Sequence, residues 1–304
     1  MKVLHITNND YDGAGQAVIR LHQSLIDIGM DSTVALLHNK YNDINILKIG
    51  YSNTLKGFLS DFFSISFLLK PLKYKAIITF MKFKFIEKFF LFYYKPKSLF
   101  NFNSLISRYA FLKKHINDYD VIIIHSIHGV LLPKDIYNMY QEFKIRIIMH
   151  PLDMELITGG CHFNYECNNW KNDCNYCPQL NSNYGRNAIA EIVILSKKNW
   201  YKNIPIQWVA TNNYIRDKLE SSAVVSNSHS FNTVYLGVNK DRCKNITKRE
   251  ARELLGLPLN KNILLFGCHD FNDRRKGAIL LKNVLINNKD CLLYTSDAAD
   301  EEDS

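Results

Sequence analysis

The sequence has no uncharged apolar run of about 18 residues, the length that a membrane-spanning helix needs. Its first residues, MKVLHITNND, also lack the apolar stretch and the small-residue cleavage site of a signal peptide. We therefore expect a cytoplasmic protein. Seven cysteines, an odd number, do not suit a disulfide framework in a reducing compartment, so clustered cysteines are considered first as metal ligands.

Acidic residues are scarce, since 29 Asp and Glu stand against 38 Lys and Arg, and the formal net charge is +9. Five of the acids lie in the last fourteen residues, 291–304, so the rest of the chain is more basic still. Because the Asn-, Lys- and Ile-rich composition stops abruptly at Asp290, we interpret residues 291–304 as a non-native tail. A genuine acidic, disordered tail is the alternative.

Apolar runs alternate with helical patterns along much of the chain. The run at residues 2–7 leads through a glycine loop into a helical pattern, and a second run follows at 32–38. Further strands are predicted at 120–126, 144–150, 206–211 and 233–238, and helices at 133–143 and 213–221. Near-continuous apolar strands indicate a parallel sheet that is covered on both faces. We therefore predict an α/β fold, with a Rossmann-like N-terminal domain over residues 1–240.

A second unit is predicted near the end of the sequence. A charged helix at 248–255 precedes an apolar run at 262–267, and a polar loop ending in RRKG follows. We interpret residues 241–290 as a linker and the start of a second Rossmann-like domain.

An aromatic, basic insertion at residues 58–100 interrupts the first domain. It holds eleven of the 18 Phe residues, eight Lys and only two acids. A helix with this composition is suited to the headgroup layer of an anionic membrane. The alternative is a helical hairpin that packs on the sheet and leaves its lysines in solvent.

A cysteine-rich loop at residues 151–190 is the second insertion. It contains Cys161, Cys167, Cys174 and Cys177, with the spacing C-x5-C-x6-C-x2-C. Four thiolates can close a tetrahedral zinc site, which would be structural because no position stays open for water or substrate. His162 could replace one thiolate. Reduced cysteines without a metal and an iron–sulfur cluster are the alternatives.

Polar residues follow several predicted strands and are candidates for ligand contacts. Ligands of open α/β sheets bind outside the carboxyl ends of the strands. The candidates are Gly13 and Gly15 in the first loop, His125 and His128 after the strand at 120–126, His150 and Asp153 after the next, and Arg275 with Lys276 after the run at 262–267.

These segments together resemble glycosyltransferase family 4, the retaining sugar transferases with the GT-B fold, and within it the colanic acid and exopolysaccharide branch. The resemblance is carried by MKVLHIT with the glycine loop, HSIHG, HPLDMELITGGCHFNYEC with CNYCPQL, KREARELLGLP, and LLFG with RRKG. It covers residues 1 to about 287 apart from the aromatic insertion. The TGGCH and CxxCP block is its most specific part.

The resemblance implies transfer of a sugar, with retention, from a nucleotide-diphosphate-sugar to a saccharide or lipid-linked acceptor. It places Gly13 and Gly15 against the donor phosphate, His128 against the transferred sugar, and Lys276 with Arg275 on the diphosphate. No catalytic metal is implied. A lipid-linked acceptor would give the insertion a reason to contact the inner face of the plasma membrane.

The sequence also departs from the family pattern. Leu236-Gly237 stands where the family usually has Asn-Gly, and Cys268 stands where a basic residue is common. The family's paired glutamates would lie beyond residue 304, so we expect a C-terminally truncated chain whose own activity is in doubt.

Two other classes of function compete with sugar transfer. The basic composition and the C-x2-C knuckle would suit a zinc-stabilised nucleic-acid-binding protein. However, the basic residues are spread among Phe-rich helices and the strands carry no RNP-like aromatic signature, so we expect no nucleic-acid partner. A non-catalytic module that binds sugar nucleotides or a membrane surface is the third possibility.

Overall fold

The computed structural model describes residues 1–40, 45–49, 96, 98–101, 107–180, 188–238, 246–268, 271 and 273–287. The chain divides into two compact units, Met1–Asn239 and Lys240–Ser304. Nearly all of the predicted aromatic insertion and the whole of the tail at 291–304 lie outside the described residues. Within the described parts, no helix is both long and apolar enough to cross a bilayer.

The first unit is built on a parallel sheet of seven described strands in the order β3-β2-β1-β4-β5-β6-β7. The strands are β1 (Lys2–Ile6), β2 (Asp31–Leu36), β3 (Ile46–Lys48), β4 (Val121–Ile124), β5 (Arg146–Met149), β6 (Gln207–Ala210) and β7 (Ser230–Thr233). Every pair of neighbouring strands is parallel. The predicted α/β class and Rossmann-like sheet are therefore confirmed.

Helices connect most of these strands. In this unit they are α1 (Gly13–Asp27), α2 (Tyr109–Leu112), α3 (Pro133–Phe143), α4 (Ala188–Tyr201) and α5 (Asn213–Glu220). Two begin at side-chain caps, since Asp12 accepts a hydrogen bond from the Gly15 amide at 2.7 Å and Asn212 accepts one from the Ile215 amide at 2.9 Å. Such caps fix where α1 and α5 begin relative to the strands before them.

The central strands are buried on both faces, as their apolar runs predict. Leu4 and Ile6 of β1 and Ile122 and Ile124 of β4 are each fully buried. They form one hydrophobic core with residues of α3, α4 and the cysteine-rich loop. Burial of apolar side chains at this density holds the central strands rigidly.

The order of the strands reverses between β1 and β4. From β1 the chain moves outward to β2 and β3, and then returns to the other side of β1 to continue with β4. At such a switch point the two connections leave the sheet in opposite directions and open a crevice at the carboxyl ends of the strands. The residues after β1 and β4 therefore border that crevice.

One strand of the first unit differs from its prediction. The strand expected at 233–238 is found earlier, at Ser230–Thr233. Its neighbour β6 ends at Ala210, whose carbonyl accepts a hydrogen bond from the Val234 amide at 2.9 Å. Beyond this bond no described strand lies alongside to continue the pairing, so the apolar residues at 234–238 form no strand.

The second unit contains two described α-helices, α6 (Lys248–Leu254) and α7 (Ala278–Asn287). Thr247 and Glu250 form a capping box at the start of α6, in which the Glu250 amide donates to the Thr247 hydroxyl at 3.2 Å. The strand predicted at 262–267 is wrong, because these residues pair with no other strand in the described part of the unit. Leu265 is 91% exposed, so the described residues of the unit do not bury this apolar run.

Candidate functional site

A pocket of about 200 Å³ opens at the switch point, beside the carboxyl ends of β1 and β4. Its polar lining comes from the segments after β1, β4 and β5 and from the cysteine-rich loop. These residues are Thr7, Asn8, Asn9, Asp12, His125, Ser126, His128, Asp153 and His162. Of the predicted ligand-contacting residues, His125, His128 and Asp153 are thus brought together.

The loop between β1 and α1 is folded tightly on itself. Asp10 is buried, and its carboxylate accepts hydrogen bonds from the Lys40 amide and the Asn39 side chain, each at 2.9 Å. A Cβ atom at Gly15 would lie 2.6 Å from the carbonyl oxygen of Asn9, whereas one at Gly13 would have nothing within 4 Å. Gly15 is therefore required by the packing of the loop. Contact of Gly13 and Gly15 with a donor phosphate stays a prediction.

We expect Gly15→Ala to lower the free energy of unfolding by about 1–3 kcal/mol. The added methyl group would overlap backbone atoms of Asn9 and Asp10, which cannot rotate away. Urea unfolding measures the change, and Gly13→Ala at open space is the matched control. Because alanine favours a helix over glycine, an unchanged or raised stability in Gly15→Ala would contradict the packing argument.

His128 lies in the turn after β4, on the wall of the pocket. Its carbonyl accepts a hydrogen bond from the Asn8 side chain at 3.0 Å, and its amide donates to the Ser126 hydroxyl at 3.2 Å. Gly129 follows with a φ of 67°, a conformation that glycine adopts without strain. These hydrogen bonds and the conformation of Gly129 thus hold the backbone of His128 in the turn.

Three buried histidines form a hydrogen-bonded row beneath the pocket. His5 Nδ1 shares a hydrogen bond with His125 Nε2 at 3.0 Å, and His125 Nδ1 shares another with His150 Nδ1 at 3.0 Å. Burial lowers the pKa of His5 to about 3 and that of His150 to about 4, and it also lowers the pKa of His125. All three imidazoles are therefore neutral at neutral pH.

His150 is not among the residues that line the pocket. The structure places its ring against His125, so its predicted substrate contact stays a prediction. The sequence pattern gave no sign of His5, because a histidine inside an apolar strand has no distinguishing neighbours in sequence.

Asp153 and His162 form a hydrogen-bonded pair on the pocket wall, with 2.7 Å between Asp153 Oδ2 and His162 Nδ1. The other carboxylate oxygen, Oδ1, accepts a hydrogen bond from the Glu155 amide at 2.8 Å. Burial alone would lower the pKa of His162, but the hydrogen bond and charge of Asp153, together with Glu155, raise it above its usual value. His162 was predicted only as a substitute zinc ligand, and its place in the pocket is new.

A buried ion pair lies close to this wall. Lys197 and Glu155 are each almost fully buried, with 3.6 Å between Nζ and Oε1. Glu155 also accepts a hydrogen bond from the Asn101 side chain at 2.9 Å, and Lys197 donates to the carbonyls of Glu155 and Thr158. The pair was not predicted, because the two residues are far apart in sequence. It fixes the short 3-10 helix Glu155–Ile157 against α4.

The four cysteines of the loop lie near one another, and none forms a disulfide. Burial raises the pKa of Cys161 to about 12 and also raises that of Cys174, and neighbouring thiols add to both shifts. Yet among the described residues no group of three or more His, Cys, Asp or Glu side chains is arranged to hold a metal ion. The structure therefore does not support the zinc site, which stays a prediction from the spacing of Cys161, Cys167, Cys174 and Cys177.

The predicted diphosphate contacts, Arg275 and Lys276, belong to the second unit. Both are exposed in the 3-10 helix Arg274–Lys276, which ends at Gly277 with a φ of 74°. Arg275 donates to both carboxylate oxygens of Asp273, at 3.0 and 2.5 Å. Asp273 thus holds the guanidinium in one orientation, and a role for either side chain on a diphosphate stays a prediction.

Comparisons with known proteins do not assign the chain to a family. No protein-family model matches it, and no curated protein matches it. Among solved structures, it is similar to Phytolacca americana UGT2 complexed with UDP-2fluoro-glucose and pterostilbene, with a TM-score of 0.36 and 8% sequence identity. The match covers 80% of this chain and 56% of that chain. At so low a similarity, an assignment of function depends on this chain's own residues.

Proposed function

We propose that this chain transfers a sugar from a nucleotide-diphosphate-sugar to a saccharide or lipid-linked acceptor, in the synthesis of exopolysaccharide or another cell-surface glycan. One observation carries the proposal. Two motifs that resemble glycosyltransferase family 4 supply the wall of the switch-point pocket, since His128 comes from HSIHG and Asp153 and His162 come from HPLDMELITGGCH. Segments that are separate in sequence thus converge where α/β sheets bind ligands.

The proposed roles of individual residues are carried over from the resemblance to glycosyltransferase family 4. His128 contacts the transferred sugar, and the N-terminus of α1 at Gly13 faces the donor phosphate, which the helix dipole favours. Arg275 and Lys276 of the second unit pair with the diphosphate, and no catalytic metal takes part. Retention of configuration, a hexose as the transferred sugar and peripheral contact with an anionic membrane rest on the sequence resemblance and on residues 58–100.

The test of this function is release of nucleoside diphosphate from a panel of donors. The panel comprises UDP-glucose, UDP-galactose, UDP-N-acetylglucosamine, GDP-mannose and GDP-fucose, each incubated with lipid-linked saccharides. We expect one donor to give a glycosylated acceptor, whose anomeric configuration NMR then compares with that of the donor. A protein that forms no product with any donor and binds none would contradict the proposal.

A structural zinc ion in the cysteine-rich loop is a second part of the proposal. It is supported by the C-x5-C-x6-C-x2-C spacing and by the proximity of the thiols. We expect elemental analysis of protein purified without chelator to approach one zinc per chain, and Cys174→Ser to lose most of it. Cys268→Ser, outside the loop, is the control. A chain that folds fully without zinc would remove the metal from the proposal.

A further inference from the structure

We propose that the switch-point pocket takes a neutral saccharide, and that His162, oriented by Asp153, binds one of its hydroxyl groups. The inference rests on the proposed function and deepens it, because it names the part of the substrate that this pocket recognises. It also assigns a specificity role to His162, which the sequence suggested only as a metal ligand, and makes Asp153 the residue that orients it.

The position of His162 is fixed from several sides. Its Nδ1 lies 2.7 Å from Asp153 Oδ2, and the second oxygen of Asp153 is held by the Glu155 amide at 2.8 Å. The carbonyl of His162 accepts a hydrogen bond from the Met154 amide at 3.0 Å, and its own amide donates to the Leu99 carbonyl at 3.4 Å. The imidazole is therefore held in one orientation on the pocket wall before any ligand arrives.

The second ring nitrogen of His162 has no hydrogen-bond partner among the described residues, although the residue is only 8% exposed. A buried polar atom without a partner is unfavourable, and such atoms are found where a ligand or a water completes the bonding. A sugar hydroxyl suits this atom in either protonation state, because a hydroxyl can both donate and accept. A phosphate oxygen would suit only the protonated ring.

The charges that face the pocket also favour a neutral ligand. The described lining includes two carboxylates, Asp12 and Asp153, and neither Lys nor Arg. Asp12 accepts hydrogen bonds from the Gly15 amide and the Asn9 side chain, so its charge is fixed in place. Close to the pocket wall, the opposite charges of Glu155 and Lys197 cancel in a buried ion pair. The histidines of the lining are His125, His128 and His162; His125 is engaged in the histidine row and His162 is paired with Asp153.

A neutral polyhydroxylated ring therefore fits this pocket better than a diphosphate does. Asn, Asp and His side chains around a pocket are typical of hydroxyl recognition, whereas phosphate sites in proteins usually contain Arg or Lys. In this chain such residues, Arg275 and Lys276, lie in the second unit.

Histidine NMR on the whole chain tests the inference. The protein is labelled with ¹⁵N-histidine, the Nε2 signal of His162 is assigned with His162→Gln, and the probes are the methyl glycosides of glucose, galactose, mannose and N-acetylglucosamine, with inorganic pyrophosphate in parallel. We expect at least one glycoside to shift the His162 signal and pyrophosphate to leave it unchanged. Affinity for that glycoside should fall at least tenfold in Asp153→Asn, which keeps the imidazole but removes its charged partner.

His115→Gln is the matched control, because His115 precedes β4 and so lies at the opposite end of that strand from the pocket. Near-ultraviolet circular dichroism verifies that each variant is folded, and Asp153→Asn carries the test if His162→Gln does not fold. A His162 signal that responds to pyrophosphate more strongly than to any glycoside, or to no glycoside at all, overturns the inference. So does a glycoside affinity that Asp153→Asn leaves unchanged.

These outcomes separate the inference from the proposed function. Glycoside binding that depends on Asp153, in a protein without transfer activity, would support the inference and contradict the enzyme. Transfer activity together with glycoside binding that is unchanged in both Asp153→Asn and His162→Gln would support the enzyme and contradict the inference.

Discussion

Lys197→Met is expected to lower the free energy of unfolding by about 3–5 kcal/mol, because it leaves the buried Glu155 without its charged partner. Methionine nearly fills the space of the lysine stem, so the loss comes from the charge and its hydrogen bonds and not from a cavity. The ammonium also donates to the carbonyl of Thr158 at 3.0 Å, which the thioether cannot do. Urea unfolding at neutral pH measures the change.

Lys198→Met is the matched control, since Lys198 is the next residue of α4 and is exposed. We expect it to change stability by no more than about 0.5 kcal/mol. The double variant Lys197→Met/Glu155→Gln removes both charges and should recover part of the loss. Equal stability of Lys197→Met and Lys198→Met would show that the ion pair contributes nothing.

The loss should also depend on pH. Burial would raise the pKa of Glu155, but Lys197, His162, the hydrogen bond from Asn101 and His128 together lower it below its ordinary value of 4.5. A carboxyl with a lowered pKa contributes stability that is present above its unfolded pKa and is lost as the pH falls through the folded one. Lys197→Met removes one of the groups that lower this pKa, so Glu155 takes up its proton at a higher pH in the folded variant than in folded wild type. The stability difference between the two proteins should therefore narrow as the pH falls through these two folded-state pKa values.

His128→Ala is expected to reduce the rate of sugar transfer by at least about 100-fold, the effect of removing a polar group that acts on the reacting centre. The fold should be preserved, because the hydrogen bonds from the Asn8 side chain and to the Ser126 hydroxyl use the backbone of His128. Transfer from the donor identified above is measured as kcat and KM.

His115→Ala provides the comparison for this prediction. His115 contacts the ring of Phe111 and lies before β4, while His128 lies after it. We expect its kcat to remain within about twofold of wild type, since His115 is remote from the pocket and is not among its lining residues. If His128→Ala turned over as fast as His115→Ala, the ring of His128 would have no part in the reaction.

The central sheet could be predicted from the sequence because its strands carry their own signal. The run at Val121–Ile124 is apolar on both faces, which in a chain of this composition indicates a buried parallel strand. The run at 262–267 carries the same signal, yet no strand forms there among the described residues. A strand requires a neighbour as well as an apolar run, and the sequence of one segment contains no information on its neighbour.

The site could be predicted only in part, for a similar reason. His128 and Asp153 follow strands directly, so the rule for sheet edges finds them. His162 stands nine residues after Asp153 beside Cys161, and its neighbours in sequence suggested a metal ligand. Its pairing with Asp153 depends on how residues 154–161 return to the pocket, through bonds such as that from the Met154 amide to the His162 carbonyl. The spacing of residues in the sequence does not predict how such a loop folds back.

The row of three histidines beneath the pocket has a consequence for its chemistry. A neutral imidazole has one nitrogen that donates and one that accepts, so His5, His125 and His150 must choose their tautomers together. The hydrogen bonds of the row therefore all run in the same direction, from donor to acceptor. Reversing that direction requires the proton of every ring to move to its other nitrogen. Both nitrogens of His125 are engaged in hydrogen bonds within the row. Although His125 lines the pocket, its ring can therefore offer a substrate van der Waals contact but no hydrogen bond.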